Sequence, residues 1–75
     1  MTQTENDIMK DAFYFLRDHA EPPPIGGAGS DAFWARTAAE LSEMGVKYEN
    51  HPLALEVFPA IYTYIETKQK NRKKG

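Results

Sequence analysis

Between residues 21 and 30 the chain reads Glu-Pro-Pro-Pro-Ile-Gly-Gly-Ala-Gly-Ser, and no helix or strand can run through it. Consecutive prolines remove backbone donors, and the glycines that follow add backbone entropy that regular structure would have to overcome. The proline half is stiff and extended, the glycine half flexible. The segment therefore reads as a linker crossing the end of a fold, with separate elements before and after it.

Each flank carries helical periodicity. Before the linker, Ile8, Met9, Ala12, Phe13, Leu16 and Ala20 recur at three- and four-residue steps, with Lys10, Asp11, Arg17 and Asp18 on the other side. Thr4 with Asp7 three residues later predicts the cap of this first helix, over about residues 5–20. After the linker, Ser30 predicts a second cap. Phe33, Trp34, Thr37, Ala38, Leu41 and Met44 or Gly45 form the stripe of a helix over about 31–45, with Arg36, Glu40 and Glu43 facing out. Gly45 is placed to end it; the alternative is continuation to Tyr48 at about 1 kcal/mol for an interior glycine.

Asn50-His51-Pro52 is a start signal, since proline fits a first helical turn. Leu53, Ala54, Val57, Phe58, Ile61, Tyr64, Ile65 and Lys68 follow at helical spacing, over about 52–68. Pro59 interrupts that helix. The apolar stripe keeps its phase across it, which predicts one kinked helix, with two short helices as the alternative. Three amphipathic helices imply an all-α, three-helix bundle formed by residues 1–67.

Length and composition bound the function. A chain of 75 residues forms one small domain of marginal stability. Without cysteine it has no disulfide, no thiolate ligand and no Cys nucleophile. Two histidines, His19 and His51, are too few for an ordinary structural zinc site. The net charge of −2 is unevenly spread: residues 68–75 carry five positive charges and no negative one, leaving −7 on residues 1–67. An acidic body argues against a broad nucleic-acid face. There is no apolar run long enough to span a membrane, and residues 1–7, polar and acidic, do not read as a signal peptide. The expected location is cytoplasmic.

Motifs for chemistry are weak. The glycine run ahead of Asp31 lacks the Gly-Lys-Ser/Thr of a phosphate loop and has no preceding strand, so it reads as a plain connection. His19, near the end of the first helix, and His51, beside a cap, have no nucleophile motif around them, and structural or surface roles are expected for both. The carboxylates are scattered as on solvated helix faces. The chain is not expected to be an enzyme or to carry a cofactor.

The aromatics are the most informative residues. There are nine, more than one small core holds. Phe13, Trp34 and Phe58 are expected inside. Consecutive Phe13-Tyr14-Phe15 point about 100° apart on a helix, so at least one faces out. Tyr14, Phe15 and Tyr62 are the candidate interaction surface, for a protein partner or a second copy of the chain. The alternative is a nucleic-acid contact through the basic tail, with Lys68, Lys70, Arg72, Lys73 and Lys74 as anion contacts; the tail is otherwise expected to fray. No aromatic is interleaved there to stack on bases.

The order Phe13-Tyr14-Phe15-Leu16, Pro22-Pro23, Phe33-Trp34, Glu40-Leu41, Lys47-Tyr48 and Tyr64-Ile65-Glu66-x-Lys68 resembles small uncharacterised helical proteins encoded in bacterial prophages and integrated mobile elements. The resemblance spans residues 12 to 68. It implies a helical accessory protein and lends no catalytic residues.

Overall fold

The computed structural model describes residues 1–72 and shows three helices: α1, Gln3–Asp18; α2, Ser30–Lys47; and α3, Pro52–Arg72. They form the all-α three-helix bundle that the periodicity predicts. α3 is the shared partner, and the principal backbone approaches are α1 to α3 and α2 to α3. The core is Ile8, Ala12 and Phe15 from α1 against Ala54 and Phe58 from α3. Leu41, Met44 and Tyr48 close it from the α2 side, and Leu53, Val57 and Ile61 from α3. Among the described residues no helix is long and apolar enough to cross a membrane.

The helix starts follow local chemistry. α1 is capped by Thr2, not Thr4. The Thr2 hydroxyl accepts from the Glu5 backbone N–H at 3.1 Å, and the Glu5 carboxylate accepts from the Thr2 N–H at 2.7 Å. Glu5 is long enough to reach back and close this reciprocal pair. Asp7 instead accepts from the Gln3 side chain at 2.8 Å. α2 is capped by Gly29, not Ser30. Gly29 sits at φ 83°, a left-handed conformation that glycine adopts without a Cβ penalty, and its carbonyl accepts from Phe33 at 2.9 Å. Ser30 is the first helical residue. α3 starts at Pro52 as expected, and the imidazole Nδ1 of His51 accepts from the Leu53 N–H at 3.1 Å, which makes His51 a cap.

The helix ends differ from the sequence reading. α1 stops at Asp18, with the His19 N–H bonded to Phe15 and Leu16 carbonyls. α2 runs through Gly45 to Lys47, and the turn is made by Glu49 and Asn50 at φ 51° and 58°. The Asn50 N–H reaches back to the Gly45 carbonyl at 2.9 Å, and the helix ends two residues beyond the glycine with Tyr48 as its C-cap, as in the alternative expected for Gly45. α3 continues to Arg72 where fraying from residue 68 was expected. The reason is Gln69, which is buried. Its amide accepts from the Trp34 indole N–H at 3.1 Å and donates to the Pro23 carbonyl at 2.8 Å and the Ser30 hydroxyl at 3.2 Å. One polar side chain ties the last turns of α3 to the linker and to the start of α2.

Pro59 lies inside α3 on its exposed side, and the helix passes through it with a kink. Ala54, Phe58, Ile65 and Gln69 are buried on one face across it, so the stripe does keep its phase.

Candidate functional site

The two faces of α1 decide which aromatics are available to a partner. Ile8, Ala12, Phe15 and His19 are spaced by four, three and four residues, and all are buried. Met9, Phe13, Leu16 and Ala20 have the same spacing one residue later. The fold buries the first set, so Phe13 is 64 % exposed and Met9 45 %, while Phe15 is 3 % exposed. Two expectations are thereby reversed: Phe13 is a surface residue, and Phe15 is core and leaves the interaction surface. The stripe read from the sequence mixed the two sets, with Ile8 and Ala12 from the buried one and without His19; His19 is buried where it finds polar partners.

Those partners are Thr37 and Glu40 of α2. The His19 Nε2 lies 2.6 Å from a Glu40 carboxylate oxygen, and its Nδ1 lies 3.1 Å from the Thr37 hydroxyl. Thr37 donates its single hydroxyl proton to the Phe33 carbonyl at 2.7 Å, so Nδ1–H is the donor to Thr37. Nε2 faces the Glu40 carboxylate, so the ring is bonded at both nitrogens. Thr-His-Glu in line has the connectivity of a nucleophile, base and orienting acid. Thr37, however, is fully buried and its proton is committed to the backbone, so its hydroxyl cannot meet a substrate. The cluster is a clamp between α1 and α2, in keeping with the structural role expected of His19. Glu40, expected on the outer face, is half-buried for the same reason.

A second clamp joins the middle of α1 to the C-terminal end of α2. The Asp11 carboxylate accepts from the Lys47 ammonium at 2.6 Å and from the Tyr48 hydroxyl. Burial pushes the Asp11 carboxyl up, but the bonds from Lys47 and Tyr48 together outweigh it and hold it below the ordinary value. Burial, then the bond to Asp11, push the Tyr48 phenol up; the bond to Asp11 raises Lys47. Among the described residues no three His, Cys, Asp or Glu side chains converge as a metal-holding group.

Rings link the helices from within. Phe58 meets Phe15 at 5.8 Å between centroids, His19 lies between Phe15 and Phe33, and Phe33 continues to Trp34 and Tyr62. Tyr62 packs on Trp34 at 5.1 Å and is half-buried, so it belongs to the bundle more than to a free surface. Trp34, expected in the core, is half-buried with its N–H on Gln69. Phe58 is buried as expected.

Of the three candidate interaction residues, Tyr14 alone is exposed, at 39 %. It stands edge-to-face with Phe13 at 5.6 Å, and the Arg17 guanidinium lies 4.7 Å from its ring centre. The exposed apolar surface of α1 is therefore Met9, Phe13 and Tyr14. Tyr64 is a further exposed ring, with the Lys68 ammonium 5.9 Å from its centre. Lys70 is exposed. Residues two apart on a helix point about 200° apart, so Lys68 and Lys70 do not share a face. Lys73 and Lys74 lie outside the described residues, as does the side chain of Arg72.

No protein-family model matches this chain, and neither the curated proteins nor the solved structures contain a match to it.

Proposed function

We propose that this chain is a cytoplasmic protein-binding module that docks a partner through the outer face of α1, with Met9, Phe13 and Tyr14 as the contact residues. The observation that supports it is Phe13, a phenylalanine left 64 % exposed in a chain whose other phenylalanines are buried or half-buried. Burying such a ring against a partner yields on the order of 1.5–3 kcal/mol, and aromatic anchors of this kind dominate interface energetics. The mobile-element resemblance fits an accessory role of this sort, in which activity belongs to the partner.

The test separates surface from core within three consecutive residues. Phe13→Ala is expected to change unfolding free energy by less than about 0.5 kcal/mol and to abolish capture of the cognate partner. Phe15→Ala is expected to cost about 3–5 kcal/mol of stability. Chemical denaturation of both variants, beside a pull-down of the folded Phe13→Ala form, reads the two effects apart. A Phe13→Ala variant that retains the partner captured by the unmodified chain refutes the docking face.

A further inference from the structure

Charge is sorted around α1 into two stripes. Asp7, Asp11 and Asp18 recur at four and seven residues and share one side of the helix, where Asp11 and Asp18 line a groove against α2 with Glu40 and Glu43. Lys10 and Arg17, seven residues apart, form a second stripe beside it, with Lys10 next to Asp7 and Asp11. Lys10, Phe13 and Arg17 follow at three and four residues, so Phe13 sits on a ridge with a cation one turn to either side. The basic stripe thus runs through the apolar face, between Phe13 and Tyr14, on a body that is otherwise acidic.

Resting on the reading of α1 as a docking face, we infer that its partner is an acidic amphipathic segment whose apolar residues cover Met9, Phe13 and Tyr14 and whose carboxylates meet Lys10 and Arg17. Lys10 is exposed and makes no ion pair among the described residues. Arg17 is held by Asp18 at 3.2 Å, with both side chains more than half exposed, and by the Tyr14 ring. Exposed contacts of this type yield easily to a better-placed carboxylate. Charge complementarity also disfavours the obvious rival. A symmetric contact between two copies through this face would bring Lys10 and Arg17 of one against the same residues of the other.

The experiment uses two synthetic amphipathic helical peptides that share one stripe of leucine and isoleucine and differ only in their flanking residues, glutamate in one and lysine in the other. Binding to the full chain is followed by fluorescence anisotropy at physiological salt. The glutamate peptide should bind at least about tenfold more tightly than the lysine peptide. Lys10→Glu with Arg17→Glu should invert that preference, and Phe13→Ala should weaken both peptides. Equal affinities, a preference for lysine, or a glutamate preference that survives the double charge reversal overturns the inference while leaving the docking face standing. Binding of neither peptide removes the docking face along with it.

Discussion

At the scale of single residues, His19 and Asp11 do what apolar contacts do elsewhere in the bundle. α1 and α2 lean on α3 through their apolar faces, but they are joined to one another by two polar clamps, His19 with Thr37 and Glu40, and Asp11 with Lys47 and Tyr48. The Asp11 clamp sets a pH dependence. Its carboxyl is held below the ordinary value in the folded chain, so its contribution is complete above roughly pH 5 and is lost as pH falls through about 4 and below. Tyr48 and Lys47 are raised, so theirs are complete below about pH 9 and lost as pH climbs through about 10 and beyond. The gap in urea midpoint between the unmodified chain and Asp11→Asn should be constant across the neutral window and close at acid pH. A gap that stays constant down to the lowest pH at which the chain still folds shows that Asp11 is not the titrating group. How these residues cooperate was only partly legible in the sequence. His19 was open to a structural or a surface role, and its partner Glu40 lies 21 positions away and reads as a solvated carboxylate. Phe13 and Phe15 were both visible as a surplus, yet which of them is surplus depends on a helix phase set by that histidine.

At the scale of elements, α2 and α3 each contain a residue that helices ordinarily avoid. Gly45 is interior to α2, and a Cβ built on it would meet only the Asn50 side-chain oxygen, at 3.5 Å, an ordinary contact. Gly45→Ala should therefore stabilise the chain by about 0.5–1 kcal/mol. Pro59 denies a hydrogen bond to the carbonyl four residues earlier, at a cost of up to about 3 kcal/mol. It faces outward, so its removal loses little packing. Pro59→Ala should raise stability by about 1–2 kcal/mol, after the unfolded chain regains the freedom that proline denied it. Thermal unfolding checks both, since each kcal/mol moves the midpoint of so small a domain by about 4–8 °C. A lower midpoint for Pro59→Ala would mean that the kink is required for Phe58 and Ile65 to bury together. The start of α3 was readable because proline and its cap are local. The end of α2 stayed open between Gly45 and Tyr48, because a glycine permits a stop without imposing one, and the structure takes the longer alternative.

At the scale of the whole molecule, the linker that divides the sequence is bound into the fold at its far end. Gln69 meets Trp34, Pro23 and Ser30, which belong to α2 and the linker. Pro22 is fully buried. Gln69→Leu should leave the Trp34 N–H and the Pro23 carbonyl unpaired, at about 1–3 kcal/mol, and truncation after Thr67 should do at least as much. Urea unfolding, with Trp34 emission as the probe of that end, reads both. An unchanged midpoint and emission for Gln69→Leu would show that the last turns of α3 contribute nothing to closing the bundle.

Local physics determined how many helices this chain makes, where the linker falls and where α3 begins. Periodicity, proline and glycine act within a few residues and need no partner. Which side of α1 is buried, which aromatic is left outside and how far α3 extends were decided by tertiary structure. Each depends on a polar side chain, His19 or Gln69, that is acceptable inside only when groups distant in sequence arrive to satisfy it. Hydropathy alone assigns such residues to the surface, and the fold corrects it by supplying their partners.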